Sequence, residues 1–121
     1  MIKITIPLDP RTKKNSQRII MVHGRPMIMP STQYKKYERD AVMCITNRPG
    51  IDYPVNVECH FYMATRRRVD LNNLLECATD VLVAAGVLAD DNSSIVIGHD
   101  GSRVHYDKDN PRTEIIIKEM E

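Results

Sequence analysis

The spacing of apolar and polar positions sets the element type of each stretch of this chain. In "IKITIPL" (2–8), Ile2, Ile4 and Ile6 alternate with Lys3 and Thr5, the period-two pattern of a half-buried strand, and Pro7 and Pro10 end it. Residues 9–18 read as a polar loop. Two apolar runs within 18–30 surround Gly24, which predicts a hairpin turning there. Ser31 is a good N-cap for a helix on which Tyr34, Tyr37, Ala41 and Ile45 recur at helical spacing. After a break at 47–54, "VNVECHFYM" (55–63) alternates Val55, Val57, Cys59, Phe61 and Met63 with Asn56, Glu58, His60 and Tyr62, the clearest strand in the chain. Leu71, Leu74, Leu75, Ala78, Val81 and Leu82 then mark an amphipathic helix over 70–85, stopped by Gly86. A polar loop at 89–94 leads to two short runs flanking Asp100–Gly101, read as a second hairpin, and 113–120 reads as the last strand. This order predicts one α+β domain over 1–121, a mixed or antiparallel sheet with two helices on one face.

Composition narrows the class without naming a function. At 121 residues, 42% hydrophobic and 27% charged, the chain can bury a core of its own. It holds no apolar run of about 18 residues, so no membrane span is expected, and its start does not read as a signal peptide. Cys44, Cys59 and Cys77 are odd in number and widely spaced, which argues against a disulfide framework or zinc site and for buried thiols in a reducing compartment. Net charge is +1, but residues 1–60 carry ten Lys/Arg against five Asp/Glu, and residues 61–121 seven against eleven. Acidic groups set among basic segments suit a metal-dependent enzyme acting on a polyanion, although many inert proteins share the asymmetry.

Candidate chemistry gathers on and after the second helix. Asp70 stands at its start, and Asn72, Asn73, Glu76 and Asp80 occupy its polar side. A capping aspartate and a solvated polar face account for these residues in the simplest way. Two features favour a second reading. Asp90 and Asp91 follow the helix, where a return strand could bring them beside Asp70, and clustered carboxylates with waters and phosphate oxygens are how Mg²⁺ is held. Arg66, Arg67 and Arg68 precede it, and could hold a phosphodiester in front of such an ion, or could be a plain surface strip. Clustered without metal, the three aspartates would repel one another and raise at least one pKa. His23, His60, His99 and His105 are scattered and no serine has an evident His/Asp partnership, so water is the expected nucleophile.

The stretch "RRRVDLNNLLECATDVLVAAGVLADDNSSIV" (66–96) is similar to the signature of the RusA family of Holliday-junction resolvases: basic residues, D-x-D-N-L, a helix with a further aspartate, then D-D and a strand. "PLDPRTKKNSQR", "GRPMIMPSTQYKKY" and "RTEIIIKEM" resemble the family's flanking segments, so the likeness runs through nearly the whole chain. It implies a RusA-like fold and a homodimeric, Mg²⁺-dependent endonuclease, with Mn²⁺ as substitute, that nicks opposed strands of a four-way DNA junction. It also implies a bacterial cytoplasmic setting, often with a phage or prophage gene. By position, Asp70 and Asp91 match the metal-binding aspartates, Asp90 and Asp80 their acidic neighbours, and Asn73 the family's asparagine. Lys13, Lys14, Asn15 and Arg66–Arg68 are the expected DNA contacts.

Two positions depart from the pattern. Asn72 stands where the family has its second aspartate, and Glu76 where it has a functional lysine. An amide oxygen can coordinate, but without charge. Glu76 lies one turn on, about 40° around the helix from Asn72, and is expected to supply the missing carboxylate. Lys13, Lys14 or an arginine of 66–68 would take over from the lysine. The same departures fit a branched-DNA-binding protein that no longer cuts, and a nuclease for flaps, forks or gaps is a further alternative.

Overall fold

The computed structural model describes residues 1–13, 17–30 and 32–120, and is built around the strand with the clearest alternation. Ser31, Lys14 and Asn15 lie outside the described residues. The elements are β1 (Ile2–Ile6), β2 (Gln17–Val22), β3 (Arg25–Pro30), α1 (Thr32–Cys44), β4 (Val55–Met63), α2 (Leu71–Ala84), β5 (Val96–Gly98), β6 (Arg103–Tyr106) and β7 (Arg112–Glu119). One sheet runs β1-β7-β4, antiparallel throughout, and both β5 and β6 join the free side of β4 in parallel. The sheet is therefore mixed, with α2 as the crossover that a parallel pair requires.

Alternation decides which face is covered. Val55, Val57, Cys59 and Phe61 of β4 are buried, together with Ile4 and Ile6 of β1 and Ile115 and Ile117 of β7. They form one core with Ala41 of α1 and Leu74, Ala78, Val81 and Leu82 of α2. Both helices thus pack on one face, as the periodicity predicts. On the other face Glu58, His60, Tyr62 and Glu114 are half-buried. The β2–β3 hairpin forms its own two-stranded sheet. Its turn falls at His23–Gly24, both at positive φ (52° and 76°), as a two-residue turn between right-twisted strands requires.

Two expectations are corrected. The stretch 94–106 is not a hairpin: β5 and β6 do not pair with each other but lie end to end along β4. Between them side chains take the place of a ladder. Asn56 donates to the Asp100 carbonyl (3.1 Å) and accepts from its amide (2.9 Å), and the Cys59 amide donates to Ser102 Oγ (2.9 Å). Gly101, at φ 89°, makes the bend without reversing the chain. The thiols also differ from expectation. Cys59 and Cys77 are buried, and burial pushes Cys59 up to about 12, but Cys44 is exposed.

Candidate functional site

β4 runs straight into the exposed Arg66–Arg68, and the chain then turns into α2 at Asp70. Asp70 has extended backbone (φ −90°, ψ 121°), and its Oδ1 accepts from the Asn72 amide at 3.0 Å. It is thus a true N-cap, with its charge at the positive end of the helix dipole. Capping uses one oxygen and does not exclude a second role. Asp70, Arg68 and Asn73 line a surface hollow of about 360 Å³.

Helical geometry divides the polar side of α2. Asn72, Glu76 and Thr79 fall within roughly 60° of one another and form one stripe, while Asn73, Cys77 and Asp80 fall on the other side. Its Glu76 and Thr79 face β5. Glu76 and Thr79 line a second hollow of about 360 Å³ together with Asp91, Gly98 and His99. Asp91 is set there by its loop, which is fastened at both ends. Ahead of it the Ala89 amide donates to the Ile51 carbonyl (2.8 Å), and after it the Ile95 and Val96 amides donate to the Asn92 carbonyl (3.0 and 2.9 Å).

The two adjacent aspartates have different roles. Asp90 accepts from the Asp91 amide at 2.7 Å and from Asn92 Nδ2 at 3.0 Å, so both of its oxygens brace the loop. Those bonds hold its carboxyl below the usual carboxylate range, opposite to the rise expected from crowded acids. Asp91 is the member that reaches the hollow.

Asp80 is drawn elsewhere. It holds Lys13 Nζ at 2.8 Å, which raises the lysine's pKa, and the Lys13 amide donates to Cys77 Sγ at 3.4 Å. The 9–13 segment is thereby tied across the second stripe, and Lys13 already has a carboxylate partner. Lys14 and Asn15 lie outside the described residues.

The structure thus joins Glu76 with Asp91, and Asp70 with Arg68 and Asn73, in separate hollows. Among the described residues no three His, Cys, Asp or Glu side chains converge as a preformed metal cage. Two carboxylates in one open hollow nonetheless fit Mg²⁺, which usually keeps several waters and takes its remaining ligands from substrate phosphate.

His99 is the residue that the sequence reading passed over. Its Nδ1 lies 2.8 Å from the Val57 carbonyl. A carbonyl can only accept, so Nδ1 is the donor, which leaves Nε2 as the acceptor in the neutral form of the ring. A neutral imidazole beside two carboxylates can accept a proton or assist in ligation. The hairpin reading hid it, because that pairing would have kept His99 off the edge of β4.

The family model for endodeoxyribonuclease RusA matches residues 7–118, which takes in every residue of both hollows. No individual curated protein matches the chain. Among the described residues no helix is long and apolar enough to cross a membrane.

Proposed function

Because the chain belongs to the RusA endodeoxyribonuclease family, we propose that it is a Mg²⁺-dependent endonuclease that resolves four-way DNA junctions by paired phosphodiester hydrolysis. The observation that carries this reading is the hollow lined by both Glu76 and Asp91, which brings two carboxylates to one place. Asp91 and Glu76 would hold the ion, with Asp70 and the amide oxygen of Asn72 at its approach. When bound, Mg²⁺ would neutralise charge on the scissile phosphate and make water a stronger nucleophile. Arg66–Arg68 would hold the phosphate in register, and His99 Nε2 can accept a proton from water in the same hollow. Asp90 and Asn73 would act indirectly, Asp90 by bracing the loop that presents Asp91.

A homodimer would present two such sites to a substrate with near two-fold symmetry, so that a small chain makes paired cuts. The branch geometry and phosphate path, more than base edges, would set specificity. The setting would be the cytoplasm of a bacterium, from a cellular or prophage gene.

A second reading is a protein that binds branched DNA without cutting it, favoured by the lack of a convergent three-acid cluster among the described residues. Labelled four-way junctions incubated with Mg²⁺ or Mn²⁺ separate the two, with flaps and forks as further substrates. The nuclease reading expects symmetric nicks in the junction, and Glu76→Gln should slow them by about 10- to 100-fold. Retarded bands without nicks would establish the binding module, and full activity in Glu76→Gln would remove Glu76 from the site.

A further inference from the structure

Tyr106 ends β6 opposite Met63, where β4 gives way to the arginine-rich segment. It is large and aromatic, yet 41% exposed on an edge strand. The guanidinium of Arg66 lies over its ring, 4.1 Å from the centroid. With Arg67 and His105 the pair lines a hollow of about 260 Å³, and His105 also lines a larger one of about 630 Å³ shared with Arg103. A flat π-surface, a flat cation and the guanidinium of Arg67 thus meet at one end of the sheet.

This arrangement is poorly suited to duplex alone. Phosphates of intact duplex need only charge, and an arginine serving them gains nothing from lying on a tyrosine. A stacked guanidinium is preorganised, and it extends the aromatic surface. Bases in a duplex are covered above and below by their neighbours, so such a surface is useful only where a base is unstacked. Aromatic rings that stack on bases beside cations that track the backbone are the general means of holding unpaired strands.

We infer that Tyr106 and Arg66 form a stacking platform for an unpaired nucleobase at the branch point, with Arg67 placed for a flanking phosphate. The inference rests on the branched-DNA reading for the identity of the strand, but needs neither metal nor cleavage. It makes the edge of β6 the feature that tells a branch from plain duplex.

The test measures binding by fluorescence anisotropy in EDTA, using labelled oligothymidylate, duplex and a four-way junction. The proteins are the full chain with wild-type sequence, Tyr106→Ala, Tyr106→Leu and Tyr106→Phe. Loss of one base–aromatic stack should weaken oligothymidylate and junction binding by about 5- to 150-fold in the Ala and Leu variants. Tyr106→Phe, which keeps the π-face, should bind like wild type, and duplex binding should be unchanged in all. A 2-aminopurine at the branch should respond to wild type and Tyr106→Phe but not to Tyr106→Leu, which retains apolar bulk and guards against a folding effect. Competition by thymidine monophosphate should be far weaker than by the oligomer.

Wild-type-like binding by Tyr106→Leu, equal losses for duplex and single strand, no single-strand binding by wild type, or equal competition by the mononucleotide would each overturn the inference. A wild-type chain that binds junctions through Tyr106 but never nicks them would overturn the nuclease reading and leave the platform standing. Normal nicking with no dependence of binding on Tyr106 would do the reverse.

Discussion

Asp70 combines two roles that different substitutions can separate. As an N-cap it satisfies the Asn72 amide through Oδ1. As an anion it stands beside Arg68 in a hollow separate from the one that Glu76 and Asp91 line. Asparagine caps about as well as aspartate but carries no charge, whereas alanine does neither. Asp70→Asn should therefore keep the wild-type thermal midpoint and still bind junctions while losing cleavage. Asp70→Ala should lose cleavage and also about 1 kcal/mol of stability. Junction cleavage and denaturant unfolding of both variants check this, and a cutting Asp70→Asn would remove the aspartate from the chemistry. Glu76 is the complementary case, because it caps nothing and its position on α2 follows from helical period alone. That period is readable in the sequence, and it suffices to put Glu76 on the stripe of α2 that lines the hollow with Asp91. The division of labour between Asp90 and Asp91 was not readable. It depends on which carboxylate the Asp91 amide and Asn92 bind, and "DD" carries no sign of that.

Among the elements, those with a strong period were legible and the interrupted one was not. β4 and α2 each present a regular apolar stripe long enough to fix type and facing, and both occur as expected. β5 and β6 are short, and Asp100–Gly101 carries the usual signal of a tight reversal. What overrides that signal is tertiary. The edge of β4 offers unpaired backbone groups, and Asn56, Ser102 and His99 bond to it or to the loop in place of a ladder. Close packing reinforces the choice, because a Cβ at Gly101 would come within 2.8 Å of Glu58 Cδ. This edge is where Val96, Gly98 and His99 gain their place beside Asp91. Asn56 is the clasp. It is buried, and Asn56→Ala would leave the Asp100 amide and carbonyl without these partners, at a cost of about 1–3 kcal/mol. Urea unfolding should show that loss, and junction cleavage should fall further than stability alone explains because His99 loses its seat. Unchanged stability would show that the clasp contributes little.

At the scale of the whole molecule, the charge division between the two halves of the sequence does not become a division of the surface. Arg66–Arg68 come from the acidic half, yet they form an exposed basic run where β4 ends. Behind them the uncovered sheet face carries a polar chain: Glu58 against His60 (2.5 Å), His60 Nδ1 against His105 Nε2 (2.9 Å), Tyr62 stacked on His105, and Arg112 over Tyr62. Burial is the main cause that lowers the His105 pKa, and His60, Arg103 and Arg112 add to it, while Glu114 opposes it. In the unfolded chain His105 returns to its ordinary value near ~6.5. Between the folded and unfolded values the unfolded state binds more proton, so stability rises with pH through that window. The contribution is therefore complete above the unfolded value and is lost as pH falls toward the folded one. Asp90 and Asp107 are also depressed, but from 3.8, so their contributions fade only at lower pH. The urea midpoint should accordingly fall in two separate steps on acidification, the first beginning near pH ~6.5. His105→Gln should flatten that first step and leave the second. An unaltered first step in His105→Gln would assign it to another group, whereas its loss would show that the strand carrying Tyr106 is held most firmly when this imidazole is neutral.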